Sequence, residues 1–236
     1  MSNVITEATR QRDPYLIYLD NTFLIDLADS AQKRHSEDRR LVDLFRRNAV
    51  SELLKVRTSR WALAEAHSVI YRDCARSAGH TDPSPNASSR SDPRYFLPVH
   101  VQSVIKANTI VMSVLMELQE QTDFVLLPVG DISQLGFWPL VQQIVLMGVG
   151  FPADSVHLAI ALEAGCSLLI TDDNDLLRKV DYIADPITKP YWTANFGDSP
   201  DTPPLTACGV GVWNNVYPGD GKRPSAIQHL NNLGFT

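Results

Sequence analysis

The chain alternates short unbroken apolar runs with longer stretches in which apolar residues return at helical spacing. Tyr15-Leu16-Ile17-Tyr18-Leu19 is the first such run; it predicts a buried strand, which stops at Asp20-Asn21-Thr22 before a helical run from Phe23 to Ala28. Leu41, Leu44 and Phe45, then Leu53 and Leu54, recur amid charge and predict an amphipathic helix or helix pair over 37–55. Val56-Arg57-Thr58 reads as a short strand, with Ser59 the cap of a helix over 61–78. Periodicity returns over 99–121 through Val101, Val104, Ile105, Ile110, Val114, Leu115 and Leu118. A strand is expected over 124–128, and an apolar helix over 132–147, interrupted around Gly136 and Pro139. Pro152 then suits the first turn of a helix that Gly165 ends, and Leu168-Leu169-Ile170 is a buried strand running into Thr171-Asp172-Asp173-Asn174-Asp175. Strands separated by helices make an α/β domain with a central, mostly parallel sheet flanked by helices.

Two stretches break the pattern. Residues 79–98 carry four prolines with Ser, Asn, Asp and Arg, and read as an inserted loop. Beyond Ile183, prolines at 186, 190, 199, 203, 204, 218 and 224 and the rings of Tyr191, Trp192, Phe196, Trp213 and Tyr217 describe an irregular C-terminal extension. Such a tail either anchors back onto the domain through its rings or offers a surface to a substrate or partner. The expected division is a domain over 14–183 and an extension over 184–236, packed on it or mobile.

Composition narrows the setting. With 236 residues the chain can bury a substantial core without staples. Its three cysteines, Cys74, Cys166 and Cys208, are odd in number and widely spaced, which argues against a disulfide framework and for a reducing compartment. The first residues are polar and no run approaches the roughly 18 apolar residues of a membrane span, so the expectation is a cytoplasmic protein with no membrane partner. Net charge is -6, against a nonspecific nucleic-acid binder. Yet residues 1–100 hold 15 Lys/Arg against 13 Asp/Glu, and nine of those basic residues lie between Lys33 and Arg60, Arg39, Arg40, Arg46, Arg47, Arg57 and Arg60 among them. Such a cluster is either a solvated helix face or a collector of phosphates.

Four acids have addresses that converge. Asp20 follows the first strand, Glu65 lies in a helix, Asp154 opens a helix and Asp173 follows the last clear strand. The strand ends of a parallel sheet share one edge, where ligands bind. Each alone has a plainer reading: Asp20 as a helix cap, Glu65 as a solvated face residue. Together, uncompensated carboxylates repel and drift toward protonation unless a cation resolves the crowding. Mg²⁺ or Mn²⁺ takes such oxygen ligands, and a site of this kind hydrolyses phosphodiesters.

At these residues the chain resembles the PIN-domain nucleases, including toxin ribonucleases of the VapC kind. The resemblance rests on Asp20-Asn21-Thr22 after the first strand, Ser59 followed by helical Glu65, Asp154-Ser155-Val156-His157-Leu158-Ala159-Ile160-Ala161, and Thr171-Asp172-Asp173-Asn174-Asp175. It covers residues 16–177, apart from the inserted loop. It implies a PIN-like fold and an endoribonuclease using Mg²⁺ or Mn²⁺. Asp20, Glu65, Asp154 and Asp173 would be catalytic and metal-binding, Asp175 a supplementary ligand, and Thr22 and Thr171 supporting residues. It also implies RNA as substrate, an antitoxin-like inhibitor and a homodimer as partners, although the inserted loop and long extension set this chain apart from compact toxin domains. The choice among Asp172, Asp173 and Asp175 stays open, and spacing from Thr171 favours Asp173. His157 lies one helical turn after Asp154, either as a packed structural histidine or on the site's face. Ser59 reads as a cap. The alternative function is a noncatalytic PIN-like interaction module. A haloacid-dehalogenase-like phosphatase is set aside, because Thr22 stands where its second Asp belongs.

Overall fold

Strand β1 (Tyr15–Leu19) is the spine of the sheet, paired in parallel with β2 (Leu54–Ser59) on one side and β4 (Leu168–Ile170) on the other. The computed structural model describes residues 14–29, 31–32, 34–49, 53–78, 93–128, 137–146, 152–177, 180, 205–211, 213–214 and 222–236. Adding β3 (Phe124–Leu127) and β5 (Thr206–Cys208) gives a five-stranded sheet in the order β3-β2-β1-β4-β5, every pairing parallel. Helices occupy both faces because side chains alternate along β1. Ile17 and Leu19 join a core built with α1 (Asn21–Ala28), α2 (His35–Ala49), α3 (Arg60–Ser77) and α4 (Pro93–Gln121). Tyr18 points the other way, into a core built with α5 (Phe137–Leu146) and α6 (Pro152–Glu163).

The elements depart from the sequence pattern in three instructive places. Leu54 belongs to β2, not to the helix preceding it: Leu54 and Val56 are fully buried while Leu53 is 41% exposed. Periodicity alone merges the end of one element with the start of the next. Helix α4 starts at Pro93, within the stretch read as a loop, since proline is tolerated in the first turn where its missing N–H bonds nothing; residues 79–92 lie outside the described residues. The C-terminal stretch supplies β5 and α7 (Ala226–Asn232), and Ala226 and Leu230 are fully buried in the first core. A capping box sets α7's start, Ser225 Oγ accepting from Gln228 N while Gln228 Oε1 accepts from Ser225 N. A three-residue strand among prolines leaves no periodic signal. Trp213 lies in β6 (Trp213–Asn214), paired antiparallel with β7 (Lys222–Arg223), whereas Tyr191, Trp192, Phe196 and Tyr217 lie outside the described residues.

Residues 100–121 of α4 are long and apolar enough to cross a membrane by length and composition, which the sequence reading had excluded. In this fold their inner stripe, Ala107, Val111, Val114 and Leu118, is buried. Val101, Ile105, Met112 and Met116 face outward. The three cysteines are free and buried.

Candidate active site

The C-terminal edge of the sheet is drawn together by its last hydrogen bonds. Asp20 N donates to Ile170 O at 3.1 Å and Thr58 Oγ1 donates to Leu19 O at 2.8 Å, so the ends of β1, β2 and β4 are held in one line. Asp20 ends β1 and caps α1 by position, with no side-chain capping bond. Its carboxylate is therefore available, and it is 1% exposed. Thr171, just past β4, donates to Asp20 Oδ2 at 2.7 Å, and Thr22 approaches the same oxygen at 3.3 Å. Both predicted supporting threonines thus hold one oxygen of Asp20.

The other oxygen faces an imidazole. His157, one turn into α6, puts Nε2 3.3 Å from Asp20 Oδ1 and 2.6 Å from Glu65 Oε2, while its Nδ1 lies 3.0 Å from the hydroxyl of Tyr18. Tyr18 and Asp20 are two residues apart on β1 and so share a face; together they clasp the ring at both nitrogens. Tyr18 also meets Ser59 Oγ at 2.7 Å, and Ser59 accepts from Ala62 N at 3.1 Å as the cap of α3. Ser59 is thus both a helix cap and the outer anchor of a relay from Tyr18 to His157. Glu65 reaches the group from the second turn of α3 because Ser59 fixes where that helix starts.

The charges are interdependent. Burial pushes the Asp20 carboxyl above the usual carboxylate range, against the opposing pull of His157 and Thr171. Burial works against charge on His157 as well, yet Asp20, Glu65 and Asp154 outweigh it, and the imidazole titrates above its ordinary value. Asp154, in the first turn of α6, enters through that charge. Asp173 is committed locally: Oδ1 accepts from Asp175 N at 2.7 Å and weakly from Leu176 N at 3.4 Å, capping the helical turn that follows. Asp175 is exposed. Asp20 and Glu65 are thus brought together, Asp154 adjoins them, and Asp173 braces the next turn.

Asp172 faces another way. Its Oδ1 takes the Arg34 guanidinium and Val210 N, the latter at 3.1 Å, and its N–H donates to Thr22 Oγ1 at 2.9 Å. The sequence offered signals for some of this: Tyr18 stands two residues before Asp20 on a strand, and His157 follows Asp154 by one turn. Nothing local marked Arg34 as Asp172's partner.

The basic residues do not form one patch. Arg39 pairs with Glu117, Arg46 with Asp43 at 2.8 Å, and Arg47 Nε donates to Asp43 O at 3.2 Å. Helix α2 returns the chain to the start of β2, so Arg46 and Arg47 lie toward the edge opposite the acids. Arg57 also turns that way, donating to Val56 O and Asp123 O. Arg60, the first residue of α3, is exposed at the acids' own edge, and Arg40 is exposed on α2.

Among the described residues, no three His, Cys, Asp or Glu side chains stand at ligand spacing around one point. The residues nonetheless fit a cation: Asp20 Oδ1 is buried with no hydrogen-bond partner, facing Glu65 and His157. A buried carboxylate oxygen of this kind is costly unless a positive charge meets it.

Fold and motif order together define an α/β domain of PIN-like architecture. Two solved structures are similar to the chain. One is Mycobacterium tuberculosis VapC20, described as a sarcin-ricin loop cleaving toxin, at 18% identity and a TM-score of 0.39, covering 68% of this chain and 92% of that one. The other is VapBC2 from Rickettsia felis, bound to a DNA fragment from its promoter, at 10% identity and a TM-score of 0.41, covering 82% of this chain and 98% of that one. No family model and no curated protein sequence matches the chain.

Proposed function

We propose that the chain is a divalent-cation-dependent endoribonuclease of PIN type, acting in the cytoplasm. The observation that carries this is Asp20 Oδ1, fully buried and without a hydrogen-bond partner at the strand ends, facing a second carboxylate. Asp20, Glu65 and Asp154 would hold Mg²⁺ or Mn²⁺, with Asp173 and Asp175 completing the acidic rim. The ion, when bound, activates water and offsets the charge developing on the phosphodiester. Thr171 and Thr22 orient the Asp20 carboxylate, and Arg60 stands where an RNA backbone would enter. A toxin role, an antitoxin-like protein inhibitor and a homodimer follow from the motif resemblance and belong to the same reading.

The test uses purified protein, single-stranded and structured RNA, and Mn²⁺. Cutting is expected, with loss in Asp20→Asn and in Asp154→Asn; cutting that persists in both variants overturns the assignment. Binding to RNA should weaken as salt rises, as phosphate contacts require. A noncatalytic interaction module is the second reading, favoured by the exposed apolar stripe Val101, Ile105, Met112 and Met116 on α4. Absence of Mn²⁺ binding at millimolar concentration would select it.

A further inference from the structure

We propose that His157 Nε2 is the third donor of the cation site, beside Asp20 Oδ1 and Glu65 Oε2, making a mixed nitrogen and oxygen site that takes Mn²⁺ in preference to Mg²⁺. This rests on the reading that the site holds a divalent cation, and goes beyond it by adding a ligand outside the acidic set and by choosing the metal.

The argument is geometric. Two carboxylate oxygens from β1 and α3 converge on one ring nitrogen from α6, at 3.3 and 2.6 Å. Adjacent donors on one small divalent ion sit about 3 Å apart, because each bond is roughly 2.1 Å long. The spacing to Asp20 is already suitable. The spacing to Glu65 must open slightly, and Glu65, whose side chain is 28% exposed, has room to do so while His157 at 3% has none.

The imidazole is also held as a ligand must be. Ser59 Oγ accepts from Ala62 N, leaving the Tyr18 hydroxyl to donate to Ser59 and to accept from Nδ1–H of His157. That chain fixes the tautomer and turns the Nε2 lone pair toward the two carboxylates, the arrangement in which metal-binding histidines are supported from behind. Nε2 carries either a proton or the ion, never both. The chemistry of the donors sets the choice of metal. Mg²⁺ favours an all-oxygen, water-rich shell, whereas an imidazole nitrogen raises affinity for transition ions.

Two measurements on the full chain decide it. Pulsed electron paramagnetic resonance of the wild-type protein with Mn²⁺ should show a directly bound imidazole nitrogen; its absence overturns the proposal without recourse to any variant. Calorimetric titration should give Mn²⁺ binding about tenfold or more tighter than Mg²⁺. In His157→Gln, Mn²⁺ affinity should fall about 10–100-fold while Mg²⁺ affinity moves by less than about threefold. An unchanged ratio of the two affinities overturns it. Asp20→Asn separates the two ideas: Mn²⁺ bound as tightly as by wild type sinks the cation site itself. Loss of Mn²⁺ in that variant, with no nitrogen signal in wild type, sinks only the role of His157.

Discussion

Two groups of carboxylates flank the ends of β1 and β4, and they are neutralised in opposite ways. On one face, Asp20 and Glu65 meet His157. On the other, Asp172 pairs with Arg34, and Asp26 and Asp38 crowd beside them. Both groups are costly to bury. Burial, then Asp172, pushes the Asp26 carboxyl up to about 6, and burial, then Asp172 and Asp26, pushes Asp38 up to about 9. Asp38 is 0% exposed, and neither of its oxygens has a hydrogen-bond partner. The difference lies in the cation. Arginine stays charged at any working pH and its fork is anchored, so the Arg34 group is closed to other cations. Imidazole gives up its charge near neutrality and can yield its place or share it. Equal numbers of acids thus make a structural clasp on one side and an open seat on the other.

The largest effect expected is from Asp20→Asn, which leaves the shape of the site but removes the charge that faces Glu65 and His157. RNA cleavage in Mn²⁺ should fall on the order of 10²–10³-fold, the scale of losing a preorganised electrostatic group. Folding stability, read from urea unfolding, should hold or rise, since a buried carboxylate with an unpartnered oxygen costs energy. Cleavage near wild-type rates would put both acid groups on the structural side.

Arg34→Met probes the opposite group. It strands Asp172, whose side chain is 8% exposed, beside two other carboxyls. Losing one partner of a buried pair costs about 3–5 kcal/mol, and the 31% exposure of Arg34 lowers this to about 2–3 kcal/mol. Urea unfolding at neutral pH checks it. A loss below about 0.5 kcal/mol, the scale of ordinary surface changes, would mean that Arg34 is not the clasp.

How far the sequence revealed these groups depends on their distance along the chain. The sheet was legible because each buried strand is an unbroken apolar run, and Asp20 was legible because it ends one. Glu65 needed its company, since a helical glutamate beside Leu63 and Ala66 has no signature of its own. The roles of His157 and Tyr18 come from a contact across 139 positions, and the link from Thr171 to Asp20 spans 151. No local pattern encodes such distances. Asp172 was blurred with Asp173 for a related reason: adjacent residues leaving a strand point to opposite faces, and only the fold decides which face holds which partner. β5 stayed hidden because three residues among prolines carry no period, although the buried Ala207 and Cys208 complete the sheet.

Asp38→Asn should leave a smaller mark, visible as a change of slope with pH. The folded carboxyl binds its proton up to about 9, whereas the unfolded one releases it near the ordinary value of 3.8. Between those values the folded chain holds the extra proton, so wild-type stability is greatest below the lower value and declines as pH rises toward the upper one. Asparagine does not ionise and removes that decline. Melting across pH 5–9 should show the variant about 1–2 kcal/mol less sensitive to pH than wild type, within the cost of a buried unsatisfied polar group. A parallel slope in both proteins would place the Asp38 charge outside this group.

The finest discrimination comes from the two threonines that stand between the groups. Thr171 Oγ1 donates to Asp20 Oδ2 at 2.7 Å and accepts from Asp173 N at 3.0 Å, while Thr22 Oγ1 receives the Asp172 N–H at 2.9 Å. Thr171→Val keeps the shape and removes both contacts of Thr171, leaving Thr22 as Asp20's remaining hydroxyl neighbour at 3.3 Å. If Thr171 serves the open seat, Mn²⁺ affinity should fall about tenfold, the lower end of what supporting hydrogen bonds to a metal ligand contribute. Stability should then change by about 1 kcal/mol or less, the net worth of one hydrogen bond. Calorimetry and urea unfolding on one preparation give both numbers. The reverse outcome, stability lost and Mn²⁺ affinity kept, would assign Thr171 to the clasp, because its bond to Asp173 N would then matter for holding the turn and its bond to Asp20 would not matter for holding the ion.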